Sequence, residues 1–188
     1  MIRLLALYEE KDCTYDEITN HLIREVGLYP YMREETANWE DSFAKNLFEA
    51  QVSPGEQKVL HREQFHLLNS LLSGKDIAVS APTSFGKSFI VDAFITIKQP
   101  KNVVIIVPTI ALMDETRRRI YKKFAGEYNI ITTIDAPICE KNIFIFPQER
   151  AFSYKDRINE IDIFIVDEFY KSSKLFEKER AASLIRAI

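Results

Sequence analysis

Apolar residues in the C-terminal two thirds of the chain fall into short, nearly continuous runs at 77–80, 103–107, 130–134, 143–146 and 161–166. Runs of this length, rich in Ile, Val and Phe, predict strands buried on both faces of a parallel sheet. Between them apolar positions recur at helical spacing, which predicts helices near 87–97, 109–125, 147–156 and 174–187. Strand alternating with helix argues an α/β fold, a parallel sheet with helices on both faces. The N-terminal quarter reads differently. Met1 to Tyr8 predicts a short helix, and Ile18, Leu22, Ile23 and Val26 form a helical stripe closed by Gly27 and Pro30. A second helix is predicted from Asn38 or Asp41 to Ala50, with Trp39, Phe43, Leu47 and Phe48 on one side as core residues. Ser53-Pro54-Gly55-Glu56 punctuates the chain, and helical spacing resumes from about 57 to 72. The division this suggests is a small helical segment over 1–56 and an α/β domain over 57–188.

Composition narrows the class. The chain has 188 residues, 46% of them hydrophobic and 28% charged, as a soluble globular protein does. No apolar run reaches membrane-spanning length, and the N-terminal apolar patch runs at once into Glu9, Glu10 and Lys11, unlike a cleavable leader. Cys13 and Cys139 have no metal-ligand spacing, which suits a reducing, cytoplasmic compartment. His21, His61 and His66 share no helical ligand spacing and read as structural or surface residues. A net charge of −3 does not advertise nucleic-acid binding, so any such footprint must be local. Arg117, Arg118, Arg119, Lys122 and Lys123 supply the candidate, with a solvated helix face as the alternative.

The chemistry concentrates in Ala81, Pro82, Thr83, Ser84, Phe85, Gly86, Lys87 and Ser88. An apolar run, a small-residue loop and Gly-Lys-Ser opening a helix is the layout of a phosphate-binding loop. Backbone N–H groups line an anion nest, and the helix N-terminus adds its positive dipole end. Gly86 admits close approach of the backbone to phosphate oxygens. Lys87 can reach the β- and γ-phosphates, and the Ser88 hydroxyl can ligate Mg²⁺. The first position is Ala81 where the full pattern has Gly. Downstream, the apolar run 161–166 ends in Asp167-Glu168, two carboxylates where an open α/β sheet binds ligands. Asp167 suits Mg²⁺, and Glu168 suits the polarising of an attacking water.

With these residues the chain resembles the first RecA-like domain of superfamily 2 helicases, the DExD/H-box group. APTSFGKS is similar to that family's motif I, which often begins with Ala. Val166-Asp167-Glu168-Phe169-Tyr170 resembles motif II, although Tyr170 stands where Asp or His is usual. Val107-Pro108-Thr109-Ile110-Ala111-Leu112 is similar to motif Ia. Phe146-Pro147-Gln148-Glu149-Arg150-Ala151 is similar to motif Ib, with Phe146 in place of Thr and Gln148 inserted. Arg62-Glu63-Gln64-Phe65 resembles the upstream glutamine motif, with Gln64 placed to read adenine or, alternatively, serving as an ordinary helix-surface glutamine.

The resemblance implies a RecA-like P-loop domain that binds ATP and Mg²⁺ through residues 81–88, Gln64 and Asp167. Lys87 and Glu168 would be the catalytic groups. Pro108, Thr109, Glu149 and Arg150 would contact the backbone of DNA or RNA. It also implies a second RecA-like lobe, which these residues do not include, so the chain reads as part of a longer motor. DNA or RNA preference, polarity and pathway stay open. The alternative is a non-catalytic, ATP-gated interaction module whose N-terminal helices dock a protein partner; no membrane partner is expected.

Overall fold

Asn38 and Asp41 cap each other. Asn38 Oδ1 accepts the Asp41 amide at 2.9 Å, and Asp41 Oδ2 accepts the Asn38 amide at 3.2 Å. This reciprocal box starts helix α3 (Trp39–Leu47). Asp16 does the same work for α2 (Glu17–Glu25), its carboxylate accepting the Thr19 amide and hydroxyl. Those bonds hold the Asp16 carboxyl below its ordinary pKa, the side-chain bond from Thr19 contributing most. With α1 (Ile2–Glu10), these helices enclose Leu5, Tyr15, Ile23, Tyr29 and Met32.

The face that α3 buries is not its aromatic one. Asp41 is only 1% exposed and Phe48 stacks on Tyr29 with ring centroids 4.1 Å apart, but Trp39 is 76%, Phe43 63% and Leu47 55% exposed. The core assignment therefore holds for Phe48 and fails for the other three. The reason is an ion pair: Arg24 Nη1 lies 3.2 Å from Asp41 Oδ1 and 2.7 Å from Glu40 Oε2, which turns the polar edge of α3 toward α2. On α2 likewise only Ile23 of the predicted stripe is buried, whereas Ile18, Leu22 and Val26 face out. Asp41→Ala should cost about 2 kcal/mol in urea unfolding. A half-buried cation would lose one of two partners and the capping box would lose its return bond to the Asn38 amide, while Glu40 still compensates Arg24 and Asn38 still caps the helix.

The helix predicted through Ala50 ends at Leu47, and the one predicted from 57 starts only at Arg62. Between them β1 (Glu49–Ser53) pairs antiparallel with β2 (Glu56–Val59). Gly55, at φ +79, makes the turn. Helices α4 (Arg62–Leu72) and α5 (Lys87–Lys98) follow, α5 packing on β1 and α4. Residues 77–80 form no strand. Val79 is 42% exposed, and three apolar residues flanked by Lys75, Asp76 and Ser80 bury too little to hold a ladder.

This computed structural model describes residues 1–11, 13–154, 157, 158 and 160–168, and divides into two compact units at Lys98/Gln99. The second unit contains the expected parallel sheet, with strands β3 (Asn102–Val107), β4 (Asn129–Ile131), β5 (Asn142–Pro147) and β6 (Ile163–Val166) in the order β4-β5-β3-β6. Both faces of β3 and β5 are buried, as continuous apolar strands require. Val104, Ile106, Ile131, Phe144, Phe146 and Tyr154 share one cluster. Helices α6 (Ile110–Phe124) and α7 (Gln148–Tyr154) pack on β3 and β5.

Asparagines fix the N-terminal ends of the strands. Buried Asn142 donates to Asn102 Oδ1 and to the Cys139 carbonyl. Strand β4 is shorter than predicted. β6 departs from the expected double burial: it pairs only with β3 among the described strands, and Phe164 is partly exposed. The helix predicted over 174–187 lies outside the described residues. Among the described residues no helix is long and apolar enough to cross a membrane.

Candidate nucleotide and nucleic-acid sites

Residues 81–88 form a tight turn leading into a helix. Thr83–Phe85 make one 3₁₀ turn, and Gly86 leaves it in the left-handed conformation at φ 78, ψ 37. The Gly86 carbonyl then accepts from the Phe89 and Ile90 amides and starts α5 at Lys87. A residue with a Cβ meets two penalties here. The backbone is strained for any L side chain, and the Cβ would lie 3.1 Å from Gln64 Nε2. The Lys87 ammonium donates to the Ala81 carbonyl at 2.6 Å and the Pro82 carbonyl at 3.1 Å. It folds back over the loop it belongs to, so an incoming phosphate would exchange with those carbonyls. A primary ammonium that can donate to phosphate oxygens and, at Ser88, a hydroxyl oxygen of the kind that ligates magnesium are groups that fit a polyphosphate and its metal.

Gln64 reaches this loop from α4. Its Oε1 accepts from the His61 amide at 3.0 Å and its Nε2 donates to the Phe85 carbonyl at 2.8 Å. The carboxamide keeps one further N–H and one further lone pair, the pair an adenine edge would need. Burial holds His61, which precedes α4, below its ordinary pKa. A histidine with a depressed folded-state pKa stabilises the fold above about pH 6.5, and that contribution is lost as pH falls. Thermal unfolding between pH 7 and 5 should therefore show a stability loss that His61→Gln flattens, well above the range where the Asp16 carboxyl protonates.

The second unit gathers the other predicted residues. Because its strands are parallel and in register, Pro108–Thr109 after β3, Glu149–Arg150 at the start of α7 and Asp167–Glu168 after β6 lie at the same end of the sheet. Pro108 is buried, Thr109 Oγ1 caps α6 by accepting the Leu112 amide at 3.3 Å, and Arg150 is exposed. The Thr109 hydroxyl can still donate its own proton. The Asp167 amide continues the β6 pairing by donating to the Ile106 carbonyl at 2.9 Å, and its Oδ1 accepts the Glu168 amide at 2.9 Å. Glu168 takes φ +52, one of two non-glycine positive values among the described residues. For a glutamate that conformation costs energy and marks a position where geometry outweighs local comfort. Lys122 and Lys123 sit in the last turn of α6, where cations complement the helix dipole, and Arg117 faces Asp114 loosely at 3.8 Å. Tyr170 lies outside the described residues.

One residue escaped the sequence reading. Arg62 opens α4 and donates to the Arg24 carbonyl at 2.9 Å, the Glu25 carbonyl at 3.1 Å and the Tyr29 hydroxyl at 3.2 Å. Its own amide donates to the Gly27 carbonyl at 2.9 Å. No periodicity announces a lone arginine. Its adjacency to Gln64 was the only available signal.

Comparison with known proteins identifies the family. A family model described as DEAD/DEAH box helicase matches residues 61–188. The chain belongs to the DEAD/DEAH box helicase family. A second family model, for the N-terminal domain of Anti-bacteriophage protein B, matches residues 1–42. Anti-bacteriophage protein B of Escherichia coli (strain K12) is 37% identical over 166 residues, which is 86% of this chain and 22% of that relative. The chain thus spans about a fifth of the curated relative's length. Membership in the helicase family accounts for the α/β fold with its parallel sheet and for a nucleotide-binding lineage.

Proposed function

We propose that this chain is the ATP-binding lobe of a nucleic-acid-dependent ATPase that couples hydrolysis to movement or remodelling of a strand. The observation that carries this reading is the Gly86 turn, which presents Lys87 at the start of α5 with Gln64 buttressing the loop. Lys87 and Ser88 would hold the phosphates, Ser88 and Asp167 the magnesium, and Glu168 the attacking water. Gln64 would read adenine. Pro108, Thr109, Glu149 and Arg150 would follow a nucleic-acid backbone, so base-sequence preference would be low. An arginine finger contributes about 10³–10⁵ in rate to such machines, and none is expected within these residues. The isolated 188 residues should therefore bind Mg–ATP and turn it over slowly. The resemblance to an anti-bacteriophage protein supports a role in phage defence, as a segment of a longer protein.

Glu168→Gln is the test. In a motor it leaves Mg–ATP binding within about twofold and removes the residual phosphate release. Unchanged release in that variant would refute the assignment. One observation favours the alternative of an ATP-gated interaction module: Trp39, Phe43 and Leu47 stand in solvent on a domain whose first 42 residues carry ten acidic and four basic side chains. Such a surface repels nucleic acid and suits a protein partner. In that case Glu168→Gln would leave partner regulation intact.

A further inference from the structure

The first turn of α4 is held at two points that face different parts of the molecule. Through Arg62 it grips the C-terminal end of α2: two carbonyls there accept from the guanidinium, a third from the Arg62 amide, and the cation meets the negative end of the helix dipole. Through Gln64, two residues on, it holds the Phe85 carbonyl inside the phosphate loop. Gln64 has little slack. It is 8% exposed, its Oε1 is fixed by the His61 amide, and the Gly86 position where a Cβ would sit lies 3.1 Å from its amide nitrogen. The Arg62 end is equally fixed. Tyr29, which accepts from Arg62 Nε, stacks on Phe48, and Phe48 meets Phe65 of α4 edge-on with centroids 4.8 Å apart.

We propose that Arg62 is a positioning residue through which the N-terminal helical domain sets the conformation of the phosphate loop, and hence its nucleotide affinity. The inference rests on the assignment of residues 81–88 as a nucleotide site. It goes beyond that assignment in giving residues 1–42 an influence on the site without contacting the nucleotide. Two anchors on one helical turn move together, so a shift of the α2 C-terminus reorients Gln64 and the Phe85 carbonyl it holds. By linkage the effect is reciprocal: nucleotide in the loop must steady the α2 C-terminus by the same factor.

Amide hydrogen exchange on the full chain tests this with and without Mg–ATP. In Arg62→Met without nucleotide, exchange across 83–88 should rise about tenfold, and affinity for a fluorescent ATP analogue should fall about fivefold. In the wild type, Mg–ATP should slow exchange across 24–28, and in Arg62→Met that protection should vanish. Asn38→Ala, which removes the α3 cap, serves as a control and should leave the loop unchanged. Should Arg62→Met lose helical content, Tyr29→Phe and Arg62→Lys, which each remove only part of the grip, should show the same loop acceleration in smaller degree. Accelerated exchange confined to 24–31, with 83–88 at wild-type rates, overturns the proposal. If the wild type binds no ATP, the nucleotide assignment fails, yet nucleotide-free exchange across 83–88 still decides whether Arg62 positions the loop.

Discussion

Lys87→Ala should weaken Mg–ATP binding by roughly 30–100-fold while leaving the unfolding midpoint close to wild type. The two halves of this expectation have different causes. The ammonium is the only side-chain cation within residues 81–88, and a charge-assisted bond to a phosphate oxygen contributes about 2–3 kcal/mol, which sets the fold-change. The shape of the loop comes from elsewhere. Gly86 supplies the left-handed turn and Gln64 supplies the brace on Phe85, and neither needs the lysine. What the substitution removes from the free protein is a pair of bonds to the Ala81 and Pro82 carbonyls, both solvent-accessible enough to be replaced by water. Lys87→Arg should not restore binding. A planar fork cannot occupy the place of a compact ammonium folded against its own loop. Isothermal titration with Mg–ATP gives the affinity and urea unfolding gives the stability. Wild-type affinity in Lys87→Ala would remove the loop from the nucleotide site.

The parts of the fold legible in the sequence are those where burial is continuous. Val103 to Val107 and Ile143 to Phe146 are apolar at every position, because a strand covered on both faces has no solvent side to mark with polar residues. Where burial is one-sided, the sequence gives a period but not its phase. Trp39, Phe43 and Leu47 are spaced as a core stripe, yet α3 is turned by Arg24 and Asp41 so that the stripe faces water. An ion pair between residues 17 apart leaves no periodic trace. The hairpin of β1 and β2 is hidden for another reason: its strands are five and four residues long and mostly polar, so Ser53-Pro54-Gly55-Glu56 reads as a boundary between segments when it joins two strands. The candidate site residues, the loop 81–88 and the pair Asp167-Glu168, stand out in the sequence because small residues, a lysine and adjacent acids make a local pattern. The strand expected before the loop was not found, since three apolar residues are too few to decide between strand and coil.

Gly27→Ala should be among the most damaging single-methyl additions in the chain. Three glycines among the described residues outside the phosphate loop take φ between +75 and +79: Gly27, Gly55 and Gly74. All three carry the same conformational penalty for alanine, about 1–2 kcal/mol. They differ in what the added methyl meets. At Gly55 and Gly74 nothing lies within 4 Å, whereas at Gly27 the Cβ would sit 2.5 Å from Arg62 Cβ and 3.0 Å from Arg62 Nε. The first contact is with the first side-chain carbon, whose place is fixed by the Arg62 backbone. The Arg62 amide is bonded to the Gly27 carbonyl, so the two backbones cannot separate without breaking that bond. The guanidinium must then leave the Arg24 and Glu25 carbonyls, stranding acceptors at the end of α2. The total should be roughly 3–5 kcal/mol for Gly27→Ala against about 1–2 for Gly55→Ala or Gly74→Ala. For a unit of this size that is a fall in Tm of about 12–40 °C against about 4–16 °C. The difference between the two kinds of glycine is what matters, because it cancels the backbone term and isolates the closeness of Arg62 to α2. If calorimetry places all three variants within 1 kcal/mol of one another, Arg62 does not hold the α2 C-terminus. The route from the N-terminal helices to the phosphate loop then loses its first step.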